Sequence, residues 1–270
     1  MPVPIALTIA GSDSGGGAGI QADIKAMSAL GVYAASVITA LTAQNTCKVH
    51  SIYPVSTHFI QDQIHTVFED LDVKAVKIGM LGTPDVICAV ANAMNNYPDV
   101  PIVLDPVMVA KSGDKLLQDD AIQSLKEHLL PKATIITPNL PEAAELTEMK
   151  EPTSLDEMSE LLQVFKKMPI KSVLLKGGHL GGDTSDDLFF DGQADRCLSG
   201  LRINTSNSHG TGCTLSASIA AGLAKGLPLI EAVTQAKTYL SNALQHADTL
   251  GVGKGHGPVH HFHAFWPKEG

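Results

Sequence analysis

The chain has 270 residues, 44% of them hydrophobic, 17% charged and only 4% aromatic, with a formal net charge of −9. A chain this long and apolar can bury a full core, and its many small and aliphatic residues suit helix-on-sheet packing better than a stacking surface for single-stranded nucleic acid. The acidic balance, with no stripe of Lys and Arg, argues against nucleic acid as a partner, so any handling of phosphates must rest on helix N-termini, a few placed lysines and a metal ion.

In chain order, "MPVPIALTIAG" lacks a basic leader and runs from a short apolar strand into a turn. No uninterrupted apolar span reaches 18 residues, so a soluble, cytoplasmic chain without a membrane segment is expected. Next come a helical pattern in "AGIQADIKAMSALG", a buried strand "AASVITAL" from Ala34 and the helix "STHFIQDQIHTVFEDL". The alternation continues with strand "AVKIGML" from Ala75, helix "TPDVICAVANAM", strand "PIVLDPV" from Pro101, helix "KLLQDDAIQSLKEHLLP", strand "TIITPN" from Thr134 and helix "PEAAELTEMK". An amphipathic helix is predicted over Leu155 to Met168 and a strand in "SVLLKGG" from Ser172. "DDLFFDGQADRCLSGLRIN" predicts a hairpin of more exposed strands turning at Asp191 and Gly192, after which the chain reads as almost wholly helical to about Ala247. Strands alternating with helices predict an α/β fold with a mostly parallel central sheet covered on both faces. No linker or repeat divides it, so residues 1–270 are expected to form one domain.

Cys47, Cys88, Cys197 and Cys213 lie far apart with no C-x-x-C pair, which signals neither a disulfide framework nor a structural zinc site. In a parallel sheet, ligands sit beyond the carboxyl ends of the strands. The residues there are Gly11 to Asp13, Gln44, Gly79 and Met80, Asp105, Asn139 and Lys176.

The stretch "SNSHGTGCTLSASIAAGLAKG" sets glycines directly before a long Ala- and Ser-rich helix. Gly210 and Gly212 let the backbone through Thr211 and Cys213 turn its N–H groups toward one point, where the helix adds its positive end, so an anion hole is expected. A thiol at that position is expected to have a lowered pKa and to accept a proton from a substrate hydroxyl. The alternative for Cys213 is a small buried hydrophobe at a helix start. "GSDSGGGAGIQAD" carries no G-K-[ST] ending, and no acidic residue follows at the ribose-binding distance, so P-loop and dinucleotide readings both fail.

"GTGC" before an Ala/Ser helix resembles the G-A-G-D element of ribokinase-like small-molecule kinases, with cysteine in place of the catalytic aspartate. Taken with "AGSDSGGGAGIQADIKA", "ALTAQNT", "KIGML", "LDPVMVAKSGDKLL", "ITPNLPEA", "LLKGGH" and the C-terminal "GKGHGPVHHFH", the chain closely resembles the hydroxymethylpyrimidine/phosphomethylpyrimidine kinases of thiamin biosynthesis, from about Ile5 almost to its end. The resemblance implies a three-layer αβα ribokinase-like fold, ATP and Mg²⁺ as cofactors, small-molecule substrates as partners, and a homodimer.

It also implies roles for particular residues. Asn139 and Glu142 match an N-x-x-E element that holds magnesium and phosphate, with the strand-end Asp105 facing it. Asn139, Pro141 and Glu142 equally read as a helix start, and Asp105 before Pro106 as a turn. Lys176 corresponds to a lysine on the transferred phosphates and Lys237 to one near the nucleotide, each with a solvated surface lysine as its alternative. Gly11 and Ala18 are placed against the acceptor ring, with Asp23 at its polar edge or, alternatively, an exposed first-turn carboxylate. Gln44 presents a donor and an acceptor side by side, matching the ring nitrogen and exocyclic amine of a 4-aminopyrimidine, or else is an ordinary turn residue. Met80 and Val107 pack on the same ring, Met80 having a core-filling alternative. The C-terminal histidines read as structural closure, and His209 as a neighbour of the phosphate site. Pyridoxal kinase and a silent pyrimidine-binding module are the competing functions.

Overall fold

The computed structural model describes residues 2–109, 113 and 116–266. Residues 110–112, 114 and 115, inside the "LDPVMVAKSGDKLL" motif and at the head of the following predicted helix, lie outside the described residues. Among those described, the strands form one nine-stranded sheet in the order β3-β2-β1-β4-β5-β6-β7-β8-β9. β1 (Ile5–Asp13), β2 (Tyr33–Gln44), β4 (Val73–Ile78), β5 (Ile102–Leu104), β6 (Ile135–Ile136) and β7 (Val173–Leu175) run parallel. β3 (Val49–Pro54), β8 (Asp187–Phe190) and β9 (Asp195–Leu198) pair antiparallel at the two ends of the sheet.

The central strands are buried on both faces, as their near-continuous apolar runs require. One apolar layer packs α2 (Thr57–Asp70), α3 (Pro84–Met94), α4 (Asp119–His128), α5 (Leu140–Thr147) and α6 (Leu155–Phe165) on the sheet. The other packs α1 (Gly19–Ala29), α7 (Thr211–Ala224) and α8 (Leu229–Gln245). This is the three-layer α/β fold. α7 is buried over nearly its whole length, and a Cβ on Gly222 would come within 2.7 Å of the Ala232 Cβ, so its small residues allow α8 to approach closely. No described helix is long and apolar enough to cross a membrane.

The predicted hairpin forms, with Asp187 paired to Leu198 and the Asp191 carboxylate capping the turn amides of Gln193 and Ala194. Its first strand is more buried than expected, because β8 lies between β7 and β9. The sequence reading missed β3. Its residues are exposed except for half-buried Val49, so no alternation of apolar and polar residues marks "VHSIYP" as a strand. β3 nevertheless decides where Gln44 lies. A turn closed by the Asn45 carboxamide, which accepts from the Cys47 and Lys48 amides, carries β2 well past its apolar run and puts Gln44 at its carboxyl end.

Candidate active site

The strand order reverses between β1 and β4, and beyond the carboxyl ends there a cleft of about 1020 Å³ opens. It brings together Gly11, Ala18, Gln44, Met80, Asp105, Val107, Asn139, Glu142, Lys176, Lys237 and the Gly210, Thr211, Gly212 and Cys213 turn. Asp23 is not among the residues that line it.

At the head of α7, Gly210 takes a left-handed conformation (φ 79°), and no side chain caps the helix. A Cβ on Gly210 would lie 1.9 Å from the Gly17 carbonyl oxygen, so the two glycine-rich loops touch backbone to backbone. A Cβ on Gly212 would sit 3.3 Å from the Lys176 Nζ and 3.5 Å from an Asp105 oxygen. The helix therefore presents its N-terminus beside one ammonium and one carboxylate, which lets an anion and a cation be held side by side.

Asp105 is buried and accepts from Lys176 Nζ (3.2 Å), Thr137 Oγ1 (3.3 Å) and Ser216 Oγ (3.2 Å). Burial works against the Lys176 charge, but Asp105 and then Glu142 outweigh it and hold the ammonium above its usual range. Asn139 and Glu142 form a reciprocal capping box at the start of α5: the Asn139 side chain accepts from the Glu142 amide, and the Glu142 carboxylate accepts from the Asn139 amide, both at 2.8 Å. The helix-start reading and a place in the cleft thus hold together. Burial is the main cause that pushes the Glu142 carboxyl up to about 7, against the pull of Lys176 and with a further push from Asp105. Lys237 is bound on the cleft wall, its Nζ donating to Asp187 (2.6 Å) and to the Ser185 carbonyl (2.8 Å).

Two expectations fail. The Cys213 thiol is pushed up to about 11 instead of down, because its desolvation outweighs both the Lys77 ammonium and a hydrogen bond with the Gly19 backbone, while Asp23 and Asp105 add negative potential. Oriented amides at a helix start do not make a thiolate where two carboxylates stand nearby. Asp23 does not line the cleft, and it is not an exposed first-turn carboxylate. It is fully buried in α1 and accepts from Lys77 Nζ (2.9 Å) and Thr8 Oγ1 (2.6 Å). Lys77, on β4, is fully buried too. Burial alone would strip its proton, but Asp23 outweighs that, with smaller contributions from Cys213 and Asp105, and keeps it charged. A lysine inside the apolar run "AVKIGML" was the available signal, since a charge in a strand buried on both faces requires a partner.

The loop after β1 is organised by Asp13. Its Oδ2 accepts from the amides of Gly17 and Ala18 (both 2.9 Å) and its Oδ1 from that of Gly15 (2.8 Å), while His209 Nε2 lies 3.1 Å from Oδ2. Burial would raise this carboxyl, but His209 and the amides outweigh it and hold it below its usual range. The Met80 side chain lies over Gly11, where a Cβ would come within 2.6 Å of the Met80 methyl carbon, so Gly11 keeps that space free. His209 adjoins the loop after β1 as well as the Gly210 turn at the head of α7. Gln44 Nε2 is placed 3.3 Å from His209 Nε2.

The C-terminal segment closes over this region. His209 donates its amide to the Gly257 carbonyl, His261 Nε2 lies 2.9 Å from Thr214 Oγ1, and the Tyr239 hydroxyl donates to the His261 carbonyl. Burial pushes His261 down to about 3, so it is a neutral packing residue. Among the described residues no group of three or more His, Cys, Asp or Glu is placed to hold a metal ion by itself.

Residues 13–260 match the family model described as phosphomethylpyrimidine kinase. The chain belongs to that family. Among the phosphomethylpyrimidine kinase relatives is the hydroxymethylpyrimidine/phosphomethylpyrimidine kinase of Rhizobium meliloti, 56% identical over 97% of this chain and 98% of the relative. A solved phosphomethylpyrimidine kinase from Clostridium difficile is 42% identical, covering 89% of this chain and 99% of that one, with a TM-score of 0.76. Bacillus subtilis pyridoxal kinase, solved with ADP, superposes at a TM-score of 0.90 with 36% identity, covering 97% of this chain and 99% of that one. Phosphomethylpyrimidine and pyridoxal kinases therefore share one backbone, and the acceptor must be read from side chains.

Proposed function

We propose that the chain transfers the γ-phosphoryl group of ATP to the hydroxymethyl oxygen of 4-amino-5-hydroxymethyl-2-methylpyrimidine, and a second one to the resulting monophosphate, giving the diphosphate used to build thiamin. The observation that carries this reading is that Gln44 and Met80 line the same cleft as Lys176 and the Gly210 to Cys213 cradle. Gly11, Ala18, Met80 and Val107 bracket the ring, and the Gln44 amide reads its ring nitrogen and exocyclic amine. Asn139, Lys176 and Lys237 face ATP, and the N–H groups of Gly210, Thr211, Gly212 and Cys213 stabilise charge on the transferring group.

Magnesium fits the donor set. Asp105 and Glu142 are buried carboxylates facing one ammonium, and burial is the main cause that raises the Glu142 carboxyl, with a smaller push from Asp105 that a divalent cation would relieve. Mg²⁺ needs only one or two carboxylates when substrate phosphates complete its shell, and bound there it supplies charge neutralisation of the phosphate oxygens.

In the first transfer Cys213 takes the hydroxyl proton. Only the thiolate can accept it, and with the thiol near 11 that form is about one molecule in 10⁴ at pH 7, so this route quickens as pH rises. The monophosphate, with a second pKa of about 6, is already ionised and needs positioning more than a base.

Pyridoxal is the rival acceptor that the superposition with pyridoxal kinase favours. ADP release with Mg–ATP, compared for hydroxymethylpyrimidine, its monophosphate and pyridoxal at matched concentrations, decides between them. Both pyrimidines should exceed pyridoxal, and Gln44→Leu should lower pyrimidine use far more than pyridoxal use. Preference for pyridoxal would overturn the acceptor assignment and leave the phosphate site standing.

A further inference from the structure

The Gln44 amide can read a 4-aminopyrimidine only if its oxygen and nitrogen lie the right way round, because the two ends are nearly isosteric and the hydrogen-bond network decides which is which. Three residues supply that decision. Asp13 is buried and already accepts from three backbone amides, so it faces His209 as an acceptor-only carboxylate. His209 Nε2, 3.1 Å from it, must therefore carry the proton. That protonated Nε2 has no lone pair to offer, so the Gln44 amide atom 3.3 Å from it can only share the same proton as a second acceptor, which makes it the oxygen.

The other end of the amide gives the same answer independently. The atom there lies 3.2 Å from Thr42 Oγ1, and Thr42 has a single hydroxyl proton, already directed 2.9 Å to the Ser12 carbonyl. Thr42 thus offers a lone pair, and the amide end beside it must be the NH₂. Both constraints select one sense, oxygen toward His209 and nitrogen toward Thr42, which exchanges the two amide atoms relative to the placement given above.

We propose that Asp13, His209 and Thr42 act as positioning residues that lock the polarity of the Gln44 amide and so set the enzyme's choice of a 4-amino over a 4-oxo pyrimidine. The proposal rests on Gln44 reading the acceptor ring. After the lock is made, the amide keeps one free lone pair and one free N–H. These match the exocyclic amine (donor) and ring nitrogen (acceptor) of the 4-aminopyrimidine. A 4-oxopyrimidine presents the reverse pair, an acceptor oxygen beside a ring N–H, and would meet like against like. An unlocked amide could rotate and accept either.

Calorimetric titration of the full-length protein, without nucleotide, with 4-amino-5-hydroxymethyl-2-methylpyrimidine and with its 4-oxo counterpart tests this. The unaltered protein should prefer the amino compound by about tenfold or more. His209→Leu should shrink that ratio about fivefold or more, mainly because the 4-oxo compound gains relative affinity. His209→Gln, which returns an N–H donor near Nε2, should restore most of it. Equal weakening of both ligands in His209→Leu, with the ratio unchanged, would mean that His209 only packs and would overturn the lock. Thr42→Val, a mild change in a strand, should also lower the ratio, and an unchanged ratio there would count against the lock. Nitrogen-15 NMR of the free protein should find the His209 proton on Nε2, and a proton on Nδ1 alone overturns the inference without reference to any ligand. If the unaltered protein binds neither pyrimidine, the acceptor assignment fails, an outcome distinct from an unchanged ratio.

Discussion

Glu142→Gln separates the two things that Glu142 does. Glutamine keeps the capping box, since its side-chain oxygen still accepts from the Asn139 amide, while removing the titration beside Asp105 and Lys176. In the folded protein burial pushes the Glu142 carboxyl up to about 7, from an ordinary value of 4.5. Below 4.5 both folded and unfolded states hold the proton, and folding suffers no penalty from this group. As pH rises from 4.5 the unfolded chain ionises first and is favoured, and above 7 the folded state has lost the full amount. At about 1.4 kcal/mol per pH unit the loss comes to about 3 kcal/mol by pH 8. About 2.5 kcal/mol of that falls between pH 5 and pH 8, and for a chain of this size each kcal/mol moves Tm by about 2–4 °C, so the melting temperature of Glu142→Gln should gain on that of the unaltered protein by about 5–10 °C over that range. Scanning calorimetry of both proteins, free of nucleotide and magnesium, measures it. The same variant should lose turnover with Mg–ATP, because the carboxylate whose burial costs stability is also one of the two proposed to hold the cation. A Tm difference between the two proteins that is the same at pH 5 and pH 8 would refute the reasoning.

If Cys213 is the proton acceptor, the single-turnover rate of the first transfer should rise about tenfold per pH unit between pH 7 and 9, because the thiol lies near 11 and each unit multiplies the thiolate. The second transfer should stay flat over that range, and Cys213→Ala should abolish the slope and impair the first transfer more than the second; equal losses in both would assign Cys213 to packing or to the anion hole. Lys77→Met leaves the buried Asp23 carboxyl without its ion-pair partner and should cost about 3–5 kcal/mol in denaturant unfolding, most of which Asp23→Leu added to it should restore. Gly210→Ala forces a side chain into a left-handed residue and against the Gly17 carbonyl, so both transfers should fall by about 10² or more, and retention of either rate would show that the cradle does not depend on that turn.

Much of the site could be read in the residues because its signals are local. Strand-to-helix turns announce themselves through a change of hydrophobic period, and the residues just past them, Gly11, Met80, Asp105, Asn139 and Lys176, are carried to the carboxyl edge by any parallel sheet. The Gly210 to Gly212 turn and the Asn139–Glu142 capping box lie within four residues of chain, so spacing alone specified them. Gln44 was singled out by its chemistry, whereas the strand pairing that positions it was not seen, because an edge strand exposed on both faces leaves no pattern.

Other properties needed the assembled fold. Asp23 and Lys77 stand 54 positions apart and His209 and Asp13 are separated by 196, and no periodicity links such pairs. A carboxylate in the first half of an amphipathic helix looks solvated until the strand that covers it is known to carry a lysine. The Cys213 thiol shows the same limit. Its sequence neighbourhood, a glycine turn and a helix start, argues for a lowered pKa, while desolvation, with Asp23 and Asp105 nearby, raises it against the pull of Lys77. The amino-acid sequence by itself determined the layered α/β framework and the side chains at its carboxyl edge, since both follow from short-range period and turn chemistry. Only the tertiary structure decided which of those side chains are desolvated and which charges face them, because desolvation and Coulomb energy depend on distances through space between residues far apart in the chain.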